Sequence, residues 1–408
     1  MLRHYICHLN SLSAFQHNKS TFCPGMVNTQ IPRAAQASPE RTTSPPLSLP
    51  ATYKRLIGRK TGKDFRSVAE VEECETPEPS QGQVLVKIAY AGVNGGCETF
   101  RVRGSSYTPF AANQKSQHYT LGAEGSGVVA AIGPGVSHLK VGDCVTVGGS
   151  GAFAEYVLTS AQGCFKVPAA SAEAVVLTLS GLTANVALQA TAGPLQEGQT
   201  VLVTAAGGAT GHMGAQLAML AGCRVVATCG SQRKAERLRG LGIHRVINYR
   251  EEDVREVLSR EFPQQIDVAY EGVGGELREA VLDNLSPKGC LLSVGYISEY
   301  PHVKADADED SHQPASSSSN GDLPPAHELF WQRQIIKRGE QTLFGDVWLG
   351  ANRTDIPRYR QELFDLHEQG KLEAWVDEKP FVGVESVADA IEYMLTGQAL
   401  GKVVVSMQ

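Results

Sequence analysis

The sequence predicts an α/β protein: a domain built on a parallel sheet, joined to a β-rich domain. Three observations carry this. From Thr200 onward, short Val- and Leu-rich runs alternate with helical stretches, the rhythm of a parallel sheet covered on both faces. Residues 51–175 instead hold short Val- and Ala-rich runs punctuated by Gly, Pro and Asn. Between the first strand of the alternating part and its helix lies a turn of small residues, Ala205-Ala206-Gly207-Gly208-Ala209-Thr210-Gly211.

At 408 residues the chain has room for two or three domains. A net charge of −6 provides no basic excess to neutralise phosphates, which argues against a dedicated nucleic-acid binder. No uninterrupted apolar run reaches the about 18–20 residues of a membrane-spanning helix. The nine cysteines are scattered and never spaced C-x-x-C, so they form neither a disulfide framework nor a zinc ribbon.

Residues 1–50 carry Arg3, Lys19, Arg33 and Arg41 against one acid, Glu40. An acid-poor, Ser-containing N-terminus of this kind resembles a mitochondrial or chloroplast transit peptide. The alternatives are a plain extension of a cytoplasmic protein, or a start at Met26. The Pro-rich stretch 44–50 marks the entry to the folded part. Strands are expected at 84–90, 127–132, 143–147 and 153–158, and apolar residues at 3–4 spacing make 172–192 helical.

The alternating part then reads strand 201–204, helix 213–220, strand 224–228, helix 233–241, strand 245–247, helix 253–261, strand 267–270, helix 277–285 and strand 290–294. An Asp- and Ser-rich insert at 302–327 is too polar to order itself. A helix at 328–338, a strand at 342–349, helices at 356–369 and 387–395, and a closing strand at 401–406 complete the chain.

The small-residue turn is the most informative motif. Strand, glycine turn and helix follow one another, with Ala205, Gly208 and Gly211 at three-residue spacing. Glycines admit a pyrophosphate close to the backbone, and the helix N-terminus presents free N–H groups to it. NAD sites place an acid about 20 residues on, at the end of the second strand. That strand ends at Thr228-Cys229-Gly230-Ser231-Gln232-Arg233-Lys234, with no acid before Glu236. A neutral turn followed by Arg233 and Lys234 suits a ribose 2′-phosphate, so NADPH is the expected dinucleotide.

Together with this turn, several motifs resemble the medium-chain dehydrogenase/reductase superfamily, in its zinc-free quinone oxidoreductase and prostaglandin reductase branch. They are Ala91-Gly92-Val93-Asn94, Leu121-Gly122-Ala123-Glu124-Gly125, Val141-Gly142-Asp143, Gly181-Leu182-Thr183-Ala184, Ile247-Asn248-Tyr249, Asp267 to Gly275, and Gly401-Lys402.

The resemblance implies a GroES-like catalytic domain split in sequence (51–177 and 351–408) beside a Rossmann domain (178–350). It implies NADPH-dependent reduction of enones, 2-alkenals or quinones. The alternatives are a 2-enoyl thioester reductase and a non-catalytic NADPH-binding protein. A homodimer is also implied. Where zinc-dependent relatives carry Cys and His ligands, this chain has Asn94 and Ala123, so no metal site is expected.

The same resemblance suggests Asn94 and Tyr107 as catalytic residues. For the cofactor it suggests Thr183, the turn Gly208-Ala209-Thr210-Gly211, Gly230 and Lys234 at the 2′-phosphate, and Tyr249 at the adenosine. It adds Gly272 and Val273 after the fourth strand, Val294, Tyr296 and Tyr300 after the fifth, and Val347, Trp348 and Leu349 further on.

Overall fold

A computed structural model describes residues 49–104, 118–149, 151–300 and 323–408. Tyr107, residues 1–48 and most of the Asp- and Ser-rich insert lie outside the described residues.

The first part of the chain supplies β1 (Thr52–Gly58), β2 (Ala69–Glu75), β3 (Gln83–Gly92), β4 (Tyr119–Thr120), β5 (Glu124–Ile132), β6 (Cys144–Gly148), β7 (Tyr156–Ser160) and β8 (Phe165–Lys166). β1, β2 and β4 form a small antiparallel sheet. The larger sheet runs β16-β3-β5-β6-β8, with β7 also on β3. Its strand β16 (Val404–Ser406) comes from the end of the chain and pairs antiparallel with β3. This sheet is therefore completed at one edge by residues more than three hundred positions away in sequence. Its core packs Val84, Val86, Ile88 and Val129 against Val387 and Ile391 of the helix Val387–Leu395.

The second sheet contains β9 (Thr200–Val203), β10 (Arg224–Cys229), β11 (Arg245–Asn248), β12 (Ile266–Glu271), β13 (Leu285–Ser293), β14 (Ile335–Arg338) and β15 (Gln341–Phe344). Their order is β11-β10-β9-β12-β13-β15-β14. All neighbours are parallel except the β14–β15 hairpin. Val201, Leu202 and Val203 are fully buried, as a strand covered on both faces requires. The chain adds strands on one side of β9 and then crosses to the other side at β12. That reversal opens a crevice beyond the C-terminal ends of β9 and β12, where open α/β sheets bind ligands.

A 20-residue helical run, Ala172–Thr191, leads from one sheet to the other, crossing the expected boundary at 177/178. Two stretches of it, Leu177–Gly181 and Ala187–Thr191, are π-type turns. By length and composition it could cross a membrane, but 78% of its apolar window is buried inside the protein. It packs on Met213 and Leu363, as a core helix does.

Three expectations are corrected. The helix expected over 328–338 is shorter and earlier, Ala326–Trp331, and β14 follows it. Arg333 adopts a left-handed φ of 51° between the two, which no helix interior tolerates. The insert also ends earlier than 327: Leu323 already packs on the core with Leu329. Finally, β1, β2 and the buried helix Gly95–Arg101 were not anticipated.

Candidate active site

The crevice is a cleft of about 540 Å³ between the two sheets. Its floor is the glycine turn. Ala205 holds a left-handed φ of 47°, and a Cβ on Gly211 would lie 2.4 Å from the Ala205 carbonyl oxygen. No side chain fits there, so the helix Gly211–Leu220 starts directly against the strand end. The cradle thus has the shape a pyrophosphate needs. Gly272 and Val273 stand opposite, after β12; their N–H groups donate to Thr204 Oγ1 (2.9 Å) and Glu271 Oε1 (2.7 Å).

Contacts from the C-terminal segment hold the turn. Gly401 N–H donates to Gly207 O at 2.9 Å. His212 Nδ1 lies 2.8 Å from Gly208 O, and its Nε2 accepts the Trp375 N–H at 3.0 Å. The two rings stack at 4.9 Å. These partners assign the neutral tautomer protonated at Nδ1. Burial pushes the His212 pKa down to about 4, outweighing the hydrogen bond to Gly208.

At the outer end, Ser231 caps the helix Gln232–Gly240 by accepting the Lys234 N–H. The Lys234 stem lies over Gly207, and its Nζ reaches the Gly397 carbonyl of the catalytic side at 2.5 Å. Desolvation lowers its pKa. The Tyr249 hydroxyl closes over Gly230, where a Cβ would come within 2.1 Å of it. Arg233 points elsewhere: it pairs with the exposed Glu378 and does not line the cleft.

At the inner end, Lys402 is completely buried. Its Nζ lies 2.5 Å from Glu124 Oε1, 2.6 Å from Asn94 Oδ1 and 3.4 Å from Ser180 Oγ. Asn94 Nδ2 donates to Glu124 Oε1 at 3.0 Å and to Gly92 O at 3.3 Å. Both ends of the Asn94 amide are therefore engaged within the protein, although the residue lines the cleft. A second buried acid, Glu98, stands near this group, and burial pushes its pKa up to about 8 against the opposing pull of Arg101, Lys402 and the Gly122 N–H.

Of the residues expected at the site, Asn94, Thr183, Gly208, Ala209, Thr210, Gly211, Gly230, Lys234, Tyr249, Gly272, Val273, Val294, Tyr300, Val347 and Trp348 line the cleft. Tyr296 and Leu349 do not. Tyr296 is buried behind the wall, packed among Phe100, Tyr300 and Phe330, and its hydroxyl accepts the Trp331 Nε1–H. Leu349 is half-buried beyond Trp348. Tyr107 lies outside the described residues.

The sequence reading gave no role to Cys97, Ser180, Phe330, Met394 and Gly397, all on the cleft wall, or to Lys402 behind it. Gly401-Lys402 was visible as a motif, but nothing local links it to Glu124. Among the described residues, no three His, Cys, Asp or Glu side chains gather as a metal site would require.

A family described as "Alcohol dehydrogenase GroES-like domain" matches residues 80–169, and one described as "Zinc-binding dehydrogenase" matches residues 209–311. The chain is similar to mouse (Mus musculus) prostaglandin reductase-3, at 32% identity over 88% of this chain and 91% of that protein. It is also similar to a probable quinone oxidoreductase of Leishmania amazonensis, at 34% identity over 89% of this chain and all of that protein. Among solved structures, an Escherichia coli quinone oxidoreductase complexed with NADPH shares the fold, with TM-score 0.69 and 24% identity over 86% of this chain and 99% of that one. The chain belongs to the medium-chain dehydrogenase/reductase family. Within it, the chain falls in the zinc-free group of prostaglandin reductase-3 and the quinone oxidoreductases.

Proposed function

We propose that this chain is an NADPH-dependent reductase of polarised C=C bonds, in enones and 2-alkenals, or of quinones. The observation that carries the reading is the cleft itself. At its outer end are a glycine cradle, Lys234 and no carboxylate where a ribose would sit; at its inner end are apolar walls around a buried cation network. The turn fits the cofactor on steric grounds: glycine at 211 lets the helix start close against the Ala205 carbonyl, and glycine at 230 lets the Tyr249 ring close over the strand end, where a Cβ would clash at 2.4 and 2.1 Å.

NADPH, when bound, supplies a hydride to the substrate. The chain's own residues do the rest. The turn Gly208–Gly211 would hold the pyrophosphate, and Lys234 with Tyr249 the phosphorylated adenosine end. Thr183, Gly272, Val273 and Val294 would flank the nicotinamide half. Asn94, locked by Lys402 and Glu124, fixes the wall against which the acceptor lies. Apolar residues such as Phe330, Met394 and Val403 keep water away from the charge that develops on the acceptor.

The acid-poor N-terminus supports an organelle address, and the resemblance to the family supports a homodimer. Fractionation of a tagged full chain and light scattering test these two.

The reaction itself is tested by NADPH oxidation with a panel of enones, 2-alkenals, quinones and enoyl thioesters, with and without a chelator. Turnover of enones or quinones that survives chelation is expected. Turnover of enoyl thioesters alone, or a requirement for zinc, would overturn the assignment.

A further inference from the structure

Serine and threonine hydroxyls inside helices are ordinarily spent on a backbone carbonyl one turn back. Thr178 does this, donating to Ala174 O at 2.6 Å. Ser180, two residues on in the same helix, does not. It sits in the π-type turn Leu177–Gly181, is 2% exposed and lines the cleft. Among the described residues its hydroxyl has one hydrogen-bond partner, Lys402 Nζ at 3.4 Å. An ammonium has no lone pair, so the lysine must be the donor and the serine oxygen the acceptor. The serine proton is thereby left without an acceptor among the described residues. A π-type turn at this point is consistent with a functional site, since such turns commonly mark one.

The neighbouring polar groups cannot play the same part. Both ends of the Asn94 amide are taken up by Gly92, Glu124 and Lys402. Ser298 donates to Val273 O, and Thr204 to Glu271. Thr183 lies one turn further along the helix, and no cation of the described residues lies on its hydroxyl to polarise it.

The geometry points to Ser180 as the hydrogen-bond donor to the carbonyl oxygen of the acceptor, with Lys402 as the positioning residue that polarises it. The inference rests on the reductase reading above and adds the group that meets the developing charge. When hydride from NADPH forms the new C–H bond at the β-carbon, the C=C electron pair shifts toward the carbonyl, whose own pair moves onto oxygen. NADPH becomes NADP⁺. Ser180 keeps its proton and donates a hydrogen bond to the oxyanion. The α-carbon then takes a proton from water as the carbonyl re-forms. A donor already held by a buried cation needs no reorganisation at that moment, which is where preorganised donors gain their effect.

The test compares full-length wild type with Ser180→Ala, a small change that leaves Glu124 and Asn94 on Lys402. Two measurements are read: steady-state kinetics with a 2-alkenal, and ionisation of bound 4-nitrophenol, whose phenolate mimics the oxyanion and needs no turnover. The variant is expected to lose about 10²-fold in kcat, the scale of removing one oxyanion donor. NADPH affinity by fluorescence should stay within about twofold, as for an interaction made only in the transition state. Wild type should acidify the bound phenol, and the variant should not.

A variant with near-normal kcat and unchanged phenol ionisation would overturn the inference. An equal loss of NADPH affinity would also overturn it, by making Ser180 a cofactor contact. If wild type reduces nothing in the panel, the reductase reading fails, and the phenol titration still decides the role of Ser180.

Discussion

The two ends of the cleft use lysine in opposite ways. At the outer end Lys234 is half-buried, spans from the Rossmann side to the Gly397 carbonyl, and has no carboxylate of the described residues within hydrogen-bond reach. At the inner end Lys402 is sealed from solvent and surrounded by Glu124, Asn94 and Ser180. The outer lysine is free to exchange a carbonyl for a ligand phosphate. The inner one cannot leave without stranding a buried carboxylate. One cation therefore serves recognition, and the other serves the architecture and polarity of the wall.

Lys402→Met breaks this contrast most severely. It leaves the Glu124 carboxylate buried and unpaired, which typically costs about 3–5 kcal/mol. Denaturant unfolding should show a loss on that scale, or a failure to accumulate soluble protein. The double variant Lys402→Met, Glu124→Gln removes both charges and should recover much of the loss. An equally unstable double variant would mean that packing, not charge, dominates here.

Lys234→Ala is expected to leave the fold intact and weaken NADPH by about 10- to 150-fold, the worth of a charge-assisted contact of about 1.5–3 kcal/mol. NADH binding should hardly change, because it has no 2′-phosphate to lose. Parallel titrations at fixed salt decide this, and equal losses for the two cofactors would assign Lys234 to the interlobe contact alone.

Glu98 sharpens the comparison through pH. Its pKa rises from the usual 4.5 to about 8 because burial disfavours the carboxylate. Between those values the native state keeps a proton that the unfolded chain releases. Stability contributed by this group is therefore present below pH 4.5 and is lost as pH rises toward 8. Glu98→Met replaces a fully buried acid by an apolar side chain. It should raise Tm by about 2–4 °C at pH 8 and by less at pH 5. A gap independent of pH would show that Glu98 does not titrate there.

The smallest effect belongs to Arg233, beside Lys234 in sequence but paired with Glu378, itself 85% exposed on the surface. Arg233→Ala should change stability by less than about 1 kcal/mol and NADPH affinity little. A loss matching that of Lys234→Ala would bring Arg233 back to the phosphate.

The outer end was legible because its signals are local. A strand, a small-residue turn and a helix stand together, and Lys234 follows the next strand in the same stretch. Period-2 and period-3.6 patterns placed most strands and helices of the second sheet within a few residues. Where they failed, the reason was again local. Gly95-Gly96 opens a helix buried from Gly96 to Phe100 and without amphipathic periodicity, and the left-handed Arg333 ends a helix that composition alone would have continued. Tyr296 and Leu349 matched by motif order, but one ring turned into the aromatic cluster and the other side chain fell beyond the wall.

By itself the sequence determined the fold class, the phosphate turn and the absence of zinc-ligand side chains at Asn94 and Ala123. Each depends on residue type within one short segment. Only the tertiary structure decided that Lys402, at the far end of the chain, meets Asn94 Oδ1 and Glu124, that Glu124 and Gly92 take up the other end of the asparagine amide, and that the lysine reaches Ser180 Oγ on the cleft wall. The strand β16 brings that lysine home by pairing with β3 across more than three hundred residues. Hydrogen-bond satisfaction in a sealed interior is a property of where chains meet, and no local pattern encodes it.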